Sequence, residues 1–126
     1  MICVPIAGVY GYRTHLLSRA ETLIGQGYQM LAADLLEDSR QSLVGTERGC
    51  KVLINAYFGA RMTARMEWAA QACMENGVQP PEVILGLATA MEQTNRLDGA
   101  IELLKSYNEK AKETPEYAHR LGMIFV

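Results

Sequence analysis

The sequence is poor in the residues that mark chemistry. It holds two histidines, His15 and His119, which lie far apart and have no metal-ligand spacing to any cysteine. A zinc site needs four convergent ligands, so no metal is expected. No GxSxG, HExxH, GxGxxG or phosphate-loop pattern occurs, which argues against an enzyme and against a bound cofactor. Neither sign of charge is in excess: 12 basic residues face 14 acidic ones, for a net charge of −2. That balance gives nucleic acid and anionic membrane surfaces no electrostatic hold. Long apolar runs are missing too. The opening Met1-Ile2-Cys3-Val4-Pro5-Ile6-Ala7-Gly8-Val9 lacks a basic leader region, and Pro5 and Gly8 interrupt it too early for a spanning helix. It is expected to be a packed N-terminal segment, residues 1–12. Cysteine is scarce and odd in number (Cys3, Cys50, Cys73), the usage expected of a reducing compartment, so cytoplasm is the expected location. Cys50 and Cys73 are expected as buried small hydrophobes.

Strand signals are also missing, since no stretch alternates with period two for long. Apolar residues recur instead at helical spacing, and 49% of the chain is apolar. Gly25-Gln26-Gly27, Gly45-Thr46, Gly59-Ala60, Asn76-Gly77, Thr94-Asn95 and Thr114-Pro115 punctuate them as caps and turns. The spacing predicts an all-α chain with helices over 13–25, 28–43, 47–59, 62–75, 81–93, 96–111 and 115–126. Their short joints require antiparallel neighbours.

A repeat underlies the pattern. Pro81-Glu82 recurs as Pro115-Glu116 after 34 residues, and Leu87, Ala88 and Met91 fall on Leu121, Gly122 and Phe125. Carried backwards, the frame places Ile84, Leu87 and Met91 on Cys50, Leu53 and Tyr57, then on Leu16, Arg19 and Leu23. Ala100 and Leu104 fall on Met66 and Ala70, then on Ala32 and Leu36. Arg19 alone breaks the apolar rule.

This pattern resembles the tetratricopeptide repeat, a helix–turn–helix unit of this length with the signature W-x2-L-G-x2-Y, then A-x3-F, then P. Leu121-Gly122-x2-Phe125, Leu87-Ala88-x2-Met91 and Ala100-x3-Leu104 carry the likeness. The middle unit offers Leu53-Ile54-x2-Tyr57, with Ile54 where the family has a small residue. Its Met66-x3-Ala70 exchanges large for small. The closing proline is replaced by Val44, Val78 and Lys112. The resemblance covers about 13–126 and implies a right-handed solenoid of about three and a half helical hairpins.

It also implies a function: first helices of successive units line a concave groove that holds a partner protein segment. The groove positions implied are Thr14, Leu17, Glu21 and Ile24, then Arg48, Lys51, Asn55 and Phe58, then Glu82, Leu85, Thr89 and Glu92, and last Glu116, His119 and Met123. Leu17, Ile24, Phe58, Leu85 and Met123 are the expected apolar anchors for an amphipathic segment. Arg48, Lys51, Asn55 and Glu92 are the expected register-setting polar contacts. Lys51 and Asn55 also match the start of the carboxylate clamp of chaperone co-factors, as does Arg120 its later part, but Gly86 and Glu116 replace the clamp's other residues. Trp68 falls on a second helix, and packing is its expected role. Stand-alone arrays of this kind are similar to cytoplasmic chaperones that hold subunits of bacterial secretion machines. The alternative is a structural subunit that forms a homo-oligomer through its apolar C-terminal helix, Leu121 to Val126.

Overall fold

The computed structural model describes the backbone of residues 3–111 and the side chains of residues 14–108, and every described element is helical. Helix α1 runs Cys3–Gly25, α2 Gln29–Leu36, α3 Arg40–Leu43, α4 Glu47–Gly59, α5 Thr63–Glu75, α6 Pro81–Gln93 and α7 Leu97–Ala111. The helix expected over 115–126 lies outside the described residues.

Two boundaries differ from expectation. The helix expected over 13–25 starts earlier, at Cys3. Pro5 falls within the first turn, where backbone N–H groups have no intrahelical partner and proline removes nothing. The expected helix over 28–43 is broken by a 3-10 turn at Glu37–Ser39. Asp38 and Ser39 both compete for backbone hydrogen bonds, which disfavours a continuous α-helix there.

The 34-residue frame reappears in the backbone hydrogen bonds. Tyr28 N–H donates to Leu23 O at 2.8 Å, Met62 to Tyr57 at 2.9 Å and Arg96 to Met91 at 2.8 Å. Each is the long-range bond of a Schellman cap, which needs a left-handed residue just before the donor. Gly27, Arg61 and Asn95 fill that place with φ of 88°, 59° and 61°. Four residues on, Ala32, Met66 and Ala100 donate to Tyr28, Met62 and Arg96, opening each following helix in the same way. Three hairpins, α1/α2, α4/α5 and α6/α7, thus share one turn geometry.

Packing follows the same order. Each hairpin's helices pack on one another, α2 packs on α4, and α5 on α6. The leading helices also touch directly, α1 with α4 and α4 with α6. The core is built at the repeat positions: Leu16, Ala32, Leu36, Cys50, Leu53, Tyr57, Met66, Ala70, Ile84, Leu87, Ala100 and Leu104 are all buried. Met66 and Ala70 are both fully enclosed, so the large/small exchange is accommodated. Burying a Leu- or Ile-sized side chain contributes about 1.5–3 kcal/mol, and no charged residue is buried among the described ones.

The cysteines depart most from expectation. Cys50 on α4 and Cys73 on α5 are joined by a disulfide, with Cα atoms 6.2 Å apart and neither side chain exposed. They were expected as buried small hydrophobes, and both are buried; the bond between them was not foreseen, because their separation of 23 residues carries no local signal. The repeat frame, however, puts both on the facing sides of one hairpin. The count of free cysteines therefore no longer argues for a reducing compartment. No described helix is long and apolar enough to cross a membrane.

Candidate interaction groove

Helices α4 and α6 place their outward faces side by side. On α4, Lys51, Asn55 and Phe58 recur at helical spacing, with Ile54 beside them; on α6, Glu82, Leu85, Gly86 and Thr89 do the same. Between them lies a groove of ≈ 510 Å³, lined by these residues with Met66 of α5 at its base. Six residues expected at a binding surface, Lys51, Asn55, Phe58, Glu82, Leu85 and Thr89, thus share one cavity.

Phe58 dominates it. Its ring is 55% exposed, although it is a large apolar side chain. It also borders a second depression of ≈ 550 Å³, lined by Gly59, Arg61, Thr63 and Gln93. Thr63 donates to Gln93 there at 2.7 Å, fastening α5 to α6. Leu85 is half-buried against Ile84, Ala88, Ala100 and Leu104, with the rest of its surface toward the groove.

The polar groups are already engaged. Lys51 Nζ lies 3.5 Å from Glu47 and 3.7 Å from Glu82, a bridge between the two walls. Thr89 donates its hydroxyl to Leu85 O at 2.7 Å. Asn55 and Glu92 are exposed. Arg48 donates to Glu21 at 2.6 Å and to Ser18 at 3.2 Å, which ties α4 to α1. That hydrogen bond, with the charge of Glu21, raises the guanidinium above its usual pKa. The two depressions carry charges of both signs, Lys51 and Glu82 in one and Arg61 in the other.

Two expected anchors lie elsewhere. Leu17 is only 5% exposed and belongs to the main core, so it is not a groove residue. On the α1 wheel it falls between Ala20, which is fully buried, and Glu21, which faces Arg48 of α4. The contact of α1 with α4 closes over it. Ile24 is half-buried against the same core. Thr14 is exposed on α1, away from the groove lining. Glu116, His119, Arg120 and Met123 lie outside the described residues.

The lining also includes residues not foreseen as contacts: Ile54, Met66 and Gly86. Met66 was assigned to the core from its repeat position. Ile54 had a usable signal, because a bulky residue replaces the family's small one where two units meet. Gly86 is the complement of that bulk.

No group of three or more His, Cys, Asp or Glu among the described residues is placed to hold a metal ion. No family model, curated protein or solved structure matches this sequence.

Proposed function

We propose that the chain is a tetratricopeptide-like helical array, non-enzymatic, whose α4/α6 groove holds an amphipathic segment of a partner protein, as an adaptor or chaperone would. The carrying observation is Phe58, a large side chain more than half exposed at the mouth of a groove whose other wall carries half-buried Leu85, over a floor of buried Ile54 and Met66. Exposed apolar side chains gathered in a concavity gain most when a second apolar face covers them. Phe58→Glu tests this reading. Because the ring lies outside the core, the variant should keep the helical circular dichroism of the parent while losing the partner. Collapse of the helical signal would instead make Phe58 a core residue.

Self-association is the second reading. Tyr28, Met30 and Leu31 are 55%, 65% and 55% exposed at the start of α2, an apolar patch on a surface the groove does not use. A light-scattering concentration series separates the readings: a strict monomer rejects self-association, and a dimer that dissociates on Leu31→Asp supports it. The buried Cys50–Cys73 bridge favours an oxidising compartment over the cytoplasm as the place of work.

A further inference from the structure

On α5, Ala64 and Trp68 lie across the helix from Met66, which lines the groove, with Arg65 about 100° round from it, and the two linings share no residue. With Arg40 of α3 they line a separate cavity of ≈ 210 Å³. Its construction starts from the 3-10 turn. In such a turn side chains three apart eclipse, which sets Arg40 directly over Glu37. Arg40 pairs with one carboxylate oxygen of Glu37, and Arg65 reaches across from α5 to pair with the other. The Arg40 guanidinium also lies 5.3 Å from the centre of the Trp68 ring, held over its face.

The charges in this cluster do not cancel. Two guanidiniums share one carboxylate, each through a single oxygen, and each guanidinium has five N–H donors. Among the described residues no other carboxylate pairs with either arginine; Glu67, on the same helix, is taken by Arg96. Beneath the cluster the Tyr57 hydroxyl is buried and feels the charges of Glu37, Arg40 and Arg65. Unspent donors, one uncompensated positive charge and an aromatic wall lie together in one hollow.

We propose that Arg40, Arg65 and Trp68 form a recognition site for a carboxylate side chain on an acidic segment of a partner protein. The carboxylate takes the open edges of the two guanidiniums, as the second acid that the pair lacks. Its aliphatic stem lies against the indole. A planar, two-oxygen anion fits a fork of N–H donors better than a tetrahedral one does here, because Glu37 already occupies one edge of each fork.

Trp68 is the sole tryptophan of the chain, so its fluorescence reports on this site alone. The test is a low-salt titration with an N-acetylated, C-amidated tetraglutamate peptide, with the tetraglutamine peptide and inorganic phosphate run beside it. The expected result is a saturable shift of Trp68 emission with the glutamate peptide only, weakened by added salt. Arg65→Ala should weaken it by at least about tenfold, the loss of one charge-assisted hydrogen bond. Arg65→Lys, which keeps the charge without the fork, should bind between the two. The proposal is overturned if the glutamine peptide or phosphate gives an equal or larger response. It is equally overturned if the response survives Arg65→Ala in a variant whose circular dichroism matches the parent.

Discussion

Gly86 stands so close to Ile54 that a Cβ built on it would lie 2.7 Å from Ile54 Cγ2. The approach of α6 to α4, and so the floor of the groove, depends on that missing methyl. Gly86→Ala gains about 1 kcal/mol of helix propensity but must displace Ile54, at about 1–3 kcal/mol in a packed setting. The net expectation is destabilisation. Ile54→Val retains Cγ2 and should not relieve it, whereas Ile54→Ala should make Gly86→Ala favourable. Denaturant unfolding of the single and double variants measures the coupling, and additive effects would mean that the two sites do not touch.

The Cys50–Cys73 bridge predicts a particular thiol count. Unfolded without reductant, the protein should alkylate at Cys3 alone, and its mass should be lower by two hydrogens than the reduced form. Closing a loop with a separation of 23 residues removes chain entropy from the unfolded state, worth about 3 kcal/mol in that model. Reduction should therefore lower the melting temperature, and it should be slow in the native state because neither half-cystine is exposed. Three alkylated cysteines in the unreduced protein would contradict the pairing.

Tyr57 sets an alkaline limit on stability. Burial, followed by the charge of Glu37, pushes its phenol above the ordinary value of 10.0. The unfolded chain therefore loses this proton at lower pH than the folded one. Its contribution is fully present below pH 10 and falls as pH rises through the folded value. Melting temperature should drop above about pH 10, and less steeply in Tyr57→Phe. Parallel pH profiles for parent and variant would remove Tyr57 as the cause.

Arg61 has a φ of 59°, a left-handed conformation that costs a residue with a Cβ about 1–2 kcal/mol. Its counterpart one unit earlier is Gly27 and one unit later Asn95, both better suited to the turn. Arg61→Gly should stabilise the protein by up to about 1 kcal/mol, the relief of the left-handed strain less the freedom that glycine adds to the unfolded chain. Asn95→Gly should do less, since asparagine tolerates the region. Equal effects would show that the turn is not what limits either site.

These turns explain how much was legible in the sequence. Helices α4 to α7 lie within a residue of the spacing-based boundaries, because apolar period and cap residues agree there. The 3-10 turn was not legible, since Leu35, Leu36 and Leu43 keep helical phase straight through it and only Asp38 and Ser39 hint at a break. The groove's α4 and α6 walls were legible from the 34-residue frame. Leu17 was not, because whether a first-helix position is wet depends on how closely α1 meets α4. The site on the far side of α5 was invisible for the same reason: Arg40 and Arg65 are 25 residues apart and meet only through Glu37.

The groove is tested most directly by placing a photo-crosslinking amino acid at position 58 in the native host and sequencing the crosslinked peptide. The predicted result is a crosslink to the apolar stripe of an amphipathic segment of another protein. The same probe at position 65 should not give it. Crosslinks from position 58 only to this chain itself, or equal yields of one product from both positions, would contradict the assignment of the α4/α6 groove as the partner-binding surface.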